Sequence, residues 1–172
     1  DVSVTNATKG TFTATSPTLY TLAITPTAGA VSASVAANSA VDSANNGNVA
    51  SNPWSITYDN SAPTVAITSN RDPGPTNNSS ITLTFTFSEA VTGFDATDVS
   101  VTNATKGTFT ATSPTLYTLA ITPTAGAVSA SVAANSAIDS ASNGNVASNS
   151  WSITYDNSAP TVAITSNQIG RA

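Results

Sequence analysis

Residues 1–70 recur almost unchanged as residues 98–167, an offset of 97 positions. Only Val41/Ile138, Asn45/Ser142 and Pro53/Ser150 differ, so 67 of 70 positions are identical. A repeat of that length is too long for one solenoid turn or one propeller blade, and it matches the size of a single β-sandwich domain. The chain therefore reads as consecutive copies of one all-β module.

Within one period the apolar residues alternate, and a side-chain period of two puts every second residue on a buried face. Seven strands follow. Strand A carries Val65 and Ile67; strand B carries Ile81, Leu83, Phe85 and Phe87. Strand C has Val99 and Val101, D has Phe109 and Ala111, and E has Tyr117, Leu119 and Ile121. Strand F has Val128, Ala130 and Val132, and G has Trp151, Ile153 and Tyr155. Threonine fills many outward positions, where a β-branched side chain suits a half-exposed strand. Turn chemistry separates the runs at Asp72-Pro73-Gly74-Pro75, Lys106-Gly107, Ser113-Pro114 and Ala125-Gly126. No stretch has helical periodicity beyond one turn at Asp95 to Asp98. The expected fold is an antiparallel β-sandwich of about seven strands, repeated in tandem.

Laid on the chain, this map is unequal. Residues 1–62 hold strands C to G, residues 63–159 hold a whole module, and residues 160–172 hold the first strand of a following module or a C-terminal tail. The first segment lacks A and B, so its apolar face is expected to lie open unless a longer polypeptide or a neighbouring chain supplies them. The repeat breaks after Asn167, where Gln168-Ile169-Gly170-Arg171-Ala172 replaces the text that follows Asn70.

Composition narrows the function. The net charge is −5 with only four basic residues and no cluster of them, which argues against nucleic acid and against an anionic membrane surface. No apolar run approaches the roughly 20 residues needed to cross a bilayer, so no membrane insertion is expected in this segment. Met is absent, so an export signal is expected outside this window. With no His and no Cys, the usual nucleophile and base pairs cannot be assembled; Glu89 with Asp95 or Asp98 could imitate a glycosidase carboxylate pair only beside a cleft that a compact module has little chain to build. The chain is expected not to be an enzyme.

The segments Phe87-Ser88-Glu89-Ala90-Val91-Thr92-Gly93-Phe94 and Asp98-Val99-Ser100-Val101 resemble the bacterial Ig-like repeats of large surface adhesins. Asp139-Ser140-Ala141-Ser142-Asn143-Gly144-Asn145 and the link Tyr155-Asp156-Asn157-Ser158-Ala159-Pro160-Thr161 resemble the same pattern. The likeness covers nearly the whole period. It implies an Ig-like sandwich strung head to tail in an exported protein, with neighbouring modules of the same chain, and identical chains in a filament, as its partners.

Strand directions gather one set of polar residues. If A runs away from the preceding module, B returns toward it, and the B–C and F–G loops share the pole facing that module. Glu89, Asp95, Asp98, Asp139, Asn143 and Asn145 then lie near one end, where Asp59 of the preceding module arrives. Hard oxygen ligands from two modules are what Ca²⁺ requires, and the resemblance adds that some such arrays hold Ca²⁺ at module junctions. The alternative is purely local: Asp95 caps a turn, Asp139 and Asn143 form Asx-turns, and Asp59 ends a strand. No cofactor is otherwise required. Lys106 is read as part of a hairpin turn rather than an isopeptide crosslink, Trp54 and Trp151 as core residues, and the sequon matches at Asn78 and Asn103 as chance in an Asn-rich chain. Three functions fit: a passive spacer or scaffold of a stalk, filament or sheath, a carbohydrate- or surface-binding module repeated for avidity, and a self-polymerising subunit.

Overall fold

The structure, a computed structural model, describes residues 1–71 and 74–166. It divides into two compact units, Asp1–Ser61 and Ala62–Ala172.

The first unit contains β1 (Val2–Thr5), β2 (Ala7–Ser16), β3 (Leu19–Pro26), β4 (Gly29–Val35) and β5 (Trp54–Tyr58). β1, β4 and β5 form one sheet in the order β1-β4-β5, while β2 and β3 form a hairpin. The second unit contains β6 (Val65–Ser69), β7 (Ile81–Phe87), a 3-10 turn (Ala96–Asp98), β8 (Val99–Thr102), β9 (Ala104–Ser113), β10 (Leu116–Pro123), β11 (Gly126–Val132) and β12 (Trp151–Tyr155). Its sheets run β6-β7-β10-β9 and β12-β11-β8. With β6 to β12 as strands A to G, these are the ABED and GFC sheets of a constant-type Ig-like sandwich. The seven strands expected from alternation are the seven observed.

Each strand of the second unit faces the core through alternate residues. In β7, Ile81, Leu83, Phe85 and Phe87 are buried while Thr82, Thr84 and Thr86 point outward, and β10 opposes them with Ile121, Leu119 and Tyr117. β11 turns Val128, Ala130 and Val132 against that layer from the other sheet. The loop between β7 and β8 adds Phe94, whose ring meets Phe85, Phe87, Phe109 and Tyr117 edge-on at centroid distances of 5.1–5.7 Å, the arrangement aromatic quadrupoles favour. The buried Tyr117 hydroxyl donates to the Val91 carbonyl at 3.2 Å, or to that of Pro114 at 3.3 Å, and so ties the same loop to β10. The outer edge of β6 is closed by Asn149, whose side-chain oxygen accepts from the Ile67 amide and whose nitrogen donates to the Ile67 carbonyl. Beyond β6 the chain crosses to the other sheet, where Thr76 forms a one-residue parallel bridge with Tyr155.

Some local expectations are corrected. Lys106-Gly107 is no turn. The chain reverses at Asn103, which adopts φ 56° and donates its side-chain amide to the Ala127 carbonyl; Lys106 and Gly107 lie within β9, where the pairing with β10 shifts register. That irregularity leaves Phe109 half-buried and Ala111 exposed. The turn expected at Asp72-Pro73, and the sequence break after Asn167, lie outside the described residues. Pro160–Ser166 repeats the β6 text yet forms no strand, and Val162 and Ile164 are exposed.

The two units share five strands of identical sequence, since every difference between them falls in a loop. Their burial differs sharply. Trp151 is 5% exposed and its counterpart Trp54 48%; Tyr117 is 5% exposed and Tyr20 53%. The expectation that Trp54 is a core residue is therefore corrected: its inward phase is right, but no layer equivalent to β6 and β7 covers it.

Phe94 fills the space between the sheets from a loop, so its removal leaves a cavity rather than an accommodating gap. Phe94→Ala is expected to destabilise the second unit by about 3–5 kcal/mol, measured by urea unfolding; a loss below about 1 kcal/mol would show that the aromatic cluster is not a packed core.

Candidate functional site

The candidate residues lie where the loops of the second unit meet. Antiparallel pairing of β6 and β7 sets Val65 opposite Phe87, so the chain leaving β7 emerges beside the start of β6. There the Ser88 amide donates to the Thr64 carbonyl and the Ser88 hydroxyl accepts from the Thr64 amide. The loop between β11 and β12 reaches the same pole, because the Val146 amide donates to the Pro63 carbonyl at 2.9 Å. The two loops then bond directly: Thr92 and Ile138 exchange backbone hydrogen bonds of 2.8 and 3.1 Å. Glu89 and Asp139 flank that bridge, and their carboxylate oxygens lie within 4.8 Å.

Asp139 organises its own loop. One carboxylate oxygen accepts from the amides of Ala141 and Asn143 at 2.8 Å, and the other accepts from the Asn143 side-chain nitrogen at 2.9 Å. The Asn143 side-chain bond does most to hold the Asp139 carboxyl below its ordinary range; burial opposes it, and the backbone amides of Asn143, Ala141 and Ser142 add to the lowering. Asn145, 1% exposed, continues the scaffold by accepting from the Ala137 amide and donating to the Ala133 and Val146 carbonyls. The loop closes so tightly that a Cβ on Gly144 would overlap the Asn135 side-chain oxygen, so a larger residue there would have to displace Asn135. At its tip Ser142 has φ 70°, where the other copy has Asn45 at φ 65°, a left-handed position that Asn adopts more readily than Ser.

Asp95 and Asp98 form a separate device. The Asp95 carboxylate accepts from the Thr97 amide and hydroxyl at 2.6 Å, while Asp98 accepts from the Asp95 amide at 2.8 Å. This is a capping box on the 3-10 turn. The Thr97 side chain, then its amide and the Lys106 charge lower the Asp95 carboxyl against some desolvation. Lys106 donates to the Ala96 carbonyl at 2.7 Å. Asp59 belongs to the first unit, where its carboxylate accepts from the Ser61 amide at 2.9 Å. The structure thus brings together Glu89, Asp139 and Asn143, and engages Asp95 and Asp98 in their own turn. Sequence reasoning missed the Thr92–Ile138 bridge and the Asn149 clasp. Neither leaves a periodic signal.

The Glu89 and Asp139 oxygens are close enough to share one cation. Two ligands at 2.3–2.6 Å from one Ca²⁺ are at most about 5 Å apart; one Asp139 oxygen is taken up by the Ala141 and Asn143 amides, while the other accepts from the Asn143 side chain. A bacterial Ig-like domain family model matches residues 59–155, a span equal to one repeat and more than half the chain. The chain belongs to the bacterial Ig-like domain family. No curated protein and no solved structure matches it. Among the described residues of this bacterial Ig-like domain, no helix is long and apolar enough to cross a membrane.

Because Asp95 and Asp139 titrate below their ordinary range when folded, their ionised forms stabilise the unit above the unfolded carboxylate pKa of about 4, and that stability is lost as pH falls toward the folded values. Melting temperature should therefore drop between about pH 5 and pH 2. Asp139→Asn should melt lower at neutral pH and show a shallower acid decline; an unchanged acid slope would remove Asp139 from the account.

Proposed function

We propose that the module is a passive spacer in an exported bacterial surface protein of the adhesin stalk, filament or sheath type, repeated head to tail. The observation that carries this reading is that none of the three differences between the copies touches a strand. Copies specialised for separate ligands would diverge at many exposed positions, whereas 67 of 70 positions here are identical and only three exposed loop positions differ, as suits interchangeable links. The polar side chains of the loops support it too, since Asp139, Asn145 and Asp95 are engaged in holding their own backbone. Binding screens of the chain against glycans and surface proteins should show nothing tighter than about micromolar. Saturable binding below that level would replace the spacer with an avidity module.

A second reading rests on the Glu89–Asp139 pair. Two carboxylates within 4.8 Å repel each other unless a proton or cation lies between them. Ca²⁺ held by Glu89, Asp139 and Asn143 would neutralise them and tie the two loops of that pole together. A ligand bound only by the native state must stabilise it by linkage. Melting in millimolar Ca²⁺ should exceed melting in chelator, and Glu89→Gln should abolish the difference. Identical midpoints would eliminate the cation.

A further inference from the structure

The seven strands of the second unit hold one charged residue between them, Lys106 in β9. β9 is also the longest of the seven, at 10 residues, and it ends its sheet with β10 as its strand partner. An open strand edge offers unpaired amides and carbonyls to any extended chain. The other edges of this unit are covered or short: Asn149 clasps β6, Thr76 bridges β12, and β8 has four residues.

Lys106 lies where an added strand would have to pass. Phe109 stands opposite Leu119 and Lys106 opposite Ile121, and both β10 residues are buried in the core, so Lys106 occupies an inward phase at the rim of the sheet. Between those two pairs the register shifts, and β9 bulges at Gly107-Thr108. The ammonium crosses to the Ala96 carbonyl at 2.7 Å, in the turn that opens β8 of the opposite sheet. We propose that Lys106 guards this edge, keeping β9 from pairing antiparallel with β9 of a second copy. Such a pair would bring two ammonium groups into the core-facing row of a continuous sheet, and stripping water from them costs more than the main-chain bonds gained contribute. The bulge adds to the effect by bending the edge out of register. Without Lys106 the strand is an uncharged run of threonine, alanine and phenylalanine with no proline, the composition of self-pairing segments. The other copy carries the same device, with Lys9 opposite Ile24. The guard would serve a spacer and a binding module alike.

The test is sedimentation velocity of the full chain over a concentration series, with amide hydrogen exchange followed in β9. Lys106→Ile suits the inward phase and Lys106→Thr matches the rest of the strand. Both should self-associate at least about tenfold more tightly than the unsubstituted chain, and β9 amides that exchange in the monomer should become protected as concentration rises. Lys106→Glu cannot donate to the Ala96 carbonyl but keeps a charge at the rim, so it should associate no more than the unsubstituted chain even where its urea midpoint falls. Association of the two neutral variants equal to that of the unsubstituted chain overturns the proposal, as does association that leaves the β9 amides unprotected. Equal association by Lys106→Glu and Lys106→Thr also overturns it, because the lysine would then act through its bond to Ala96 alone. Should Lys106→Ile fail to fold, Lys106→Thr decides under the same outcomes.

Discussion

The pairing of β7 with β10 decides whether the strands common to both units enclose a core. β7 sits inside its sheet, bonded to β6 on one side and β10 on the other, and all four of its inward side chains are buried. It also delivers the loop bearing Val91 and Phe94 to the gap between the sheets. In the first unit the same five strands pair with one another in matching registers. Local propensity and hairpin pairing therefore set the strands, while burial of Tyr20, Trp54 and Ile56 requires a layer equivalent to β6 and β7. Val31 is fully buried without it, and its counterpart Val128 is fully buried with it. That contrast separates what hairpins achieve alone from what the second sheet contributes.

A chain with so few charges secures its loops by other means. Asn145, Asn149 and Asn103 bridge backbone groups that sheet pairing leaves over, and Asp139 and Asp95 gather the amides of tight turns. Among the described residues no buried side-chain polar atom lacks a partner. Each such bond contributes only about 1 kcal/mol net, but leaving a buried amide unpaired costs more. The polar residues at the pole thus serve the fold first, and a cation would add to a framework already made.

Alternation made the strands legible because their period is two and their outward positions are mostly threonine. The capping turn at Asp95 to Asp98 was legible from composition, and so was the sharing of one pole by two loops, which follows from strand direction alone. Phe94 was not, since a loop residue has no period to betray it. Nor was the reversal at Asn103, because Lys106-Gly107 offered a stronger turn signal than a lone Asn in the left-handed region. Of the candidate ligands, Glu89 and Asp139 were brought to one place by the Thr92–Ile138 bridge, a long-range backbone contact that no local pattern encodes.

The account comes down to identical strands meeting two different environments, and the two tryptophans report on it directly. Fluorine NMR of the chain labelled with 5-fluorotryptophan should give two resonances. The one from Trp54 should move when water is exchanged for heavy water, and the one from Trp151 should stay in place. Resonances that respond equally would show that β6, β7 and Phe94 do not make the difference between a closed core and an open face.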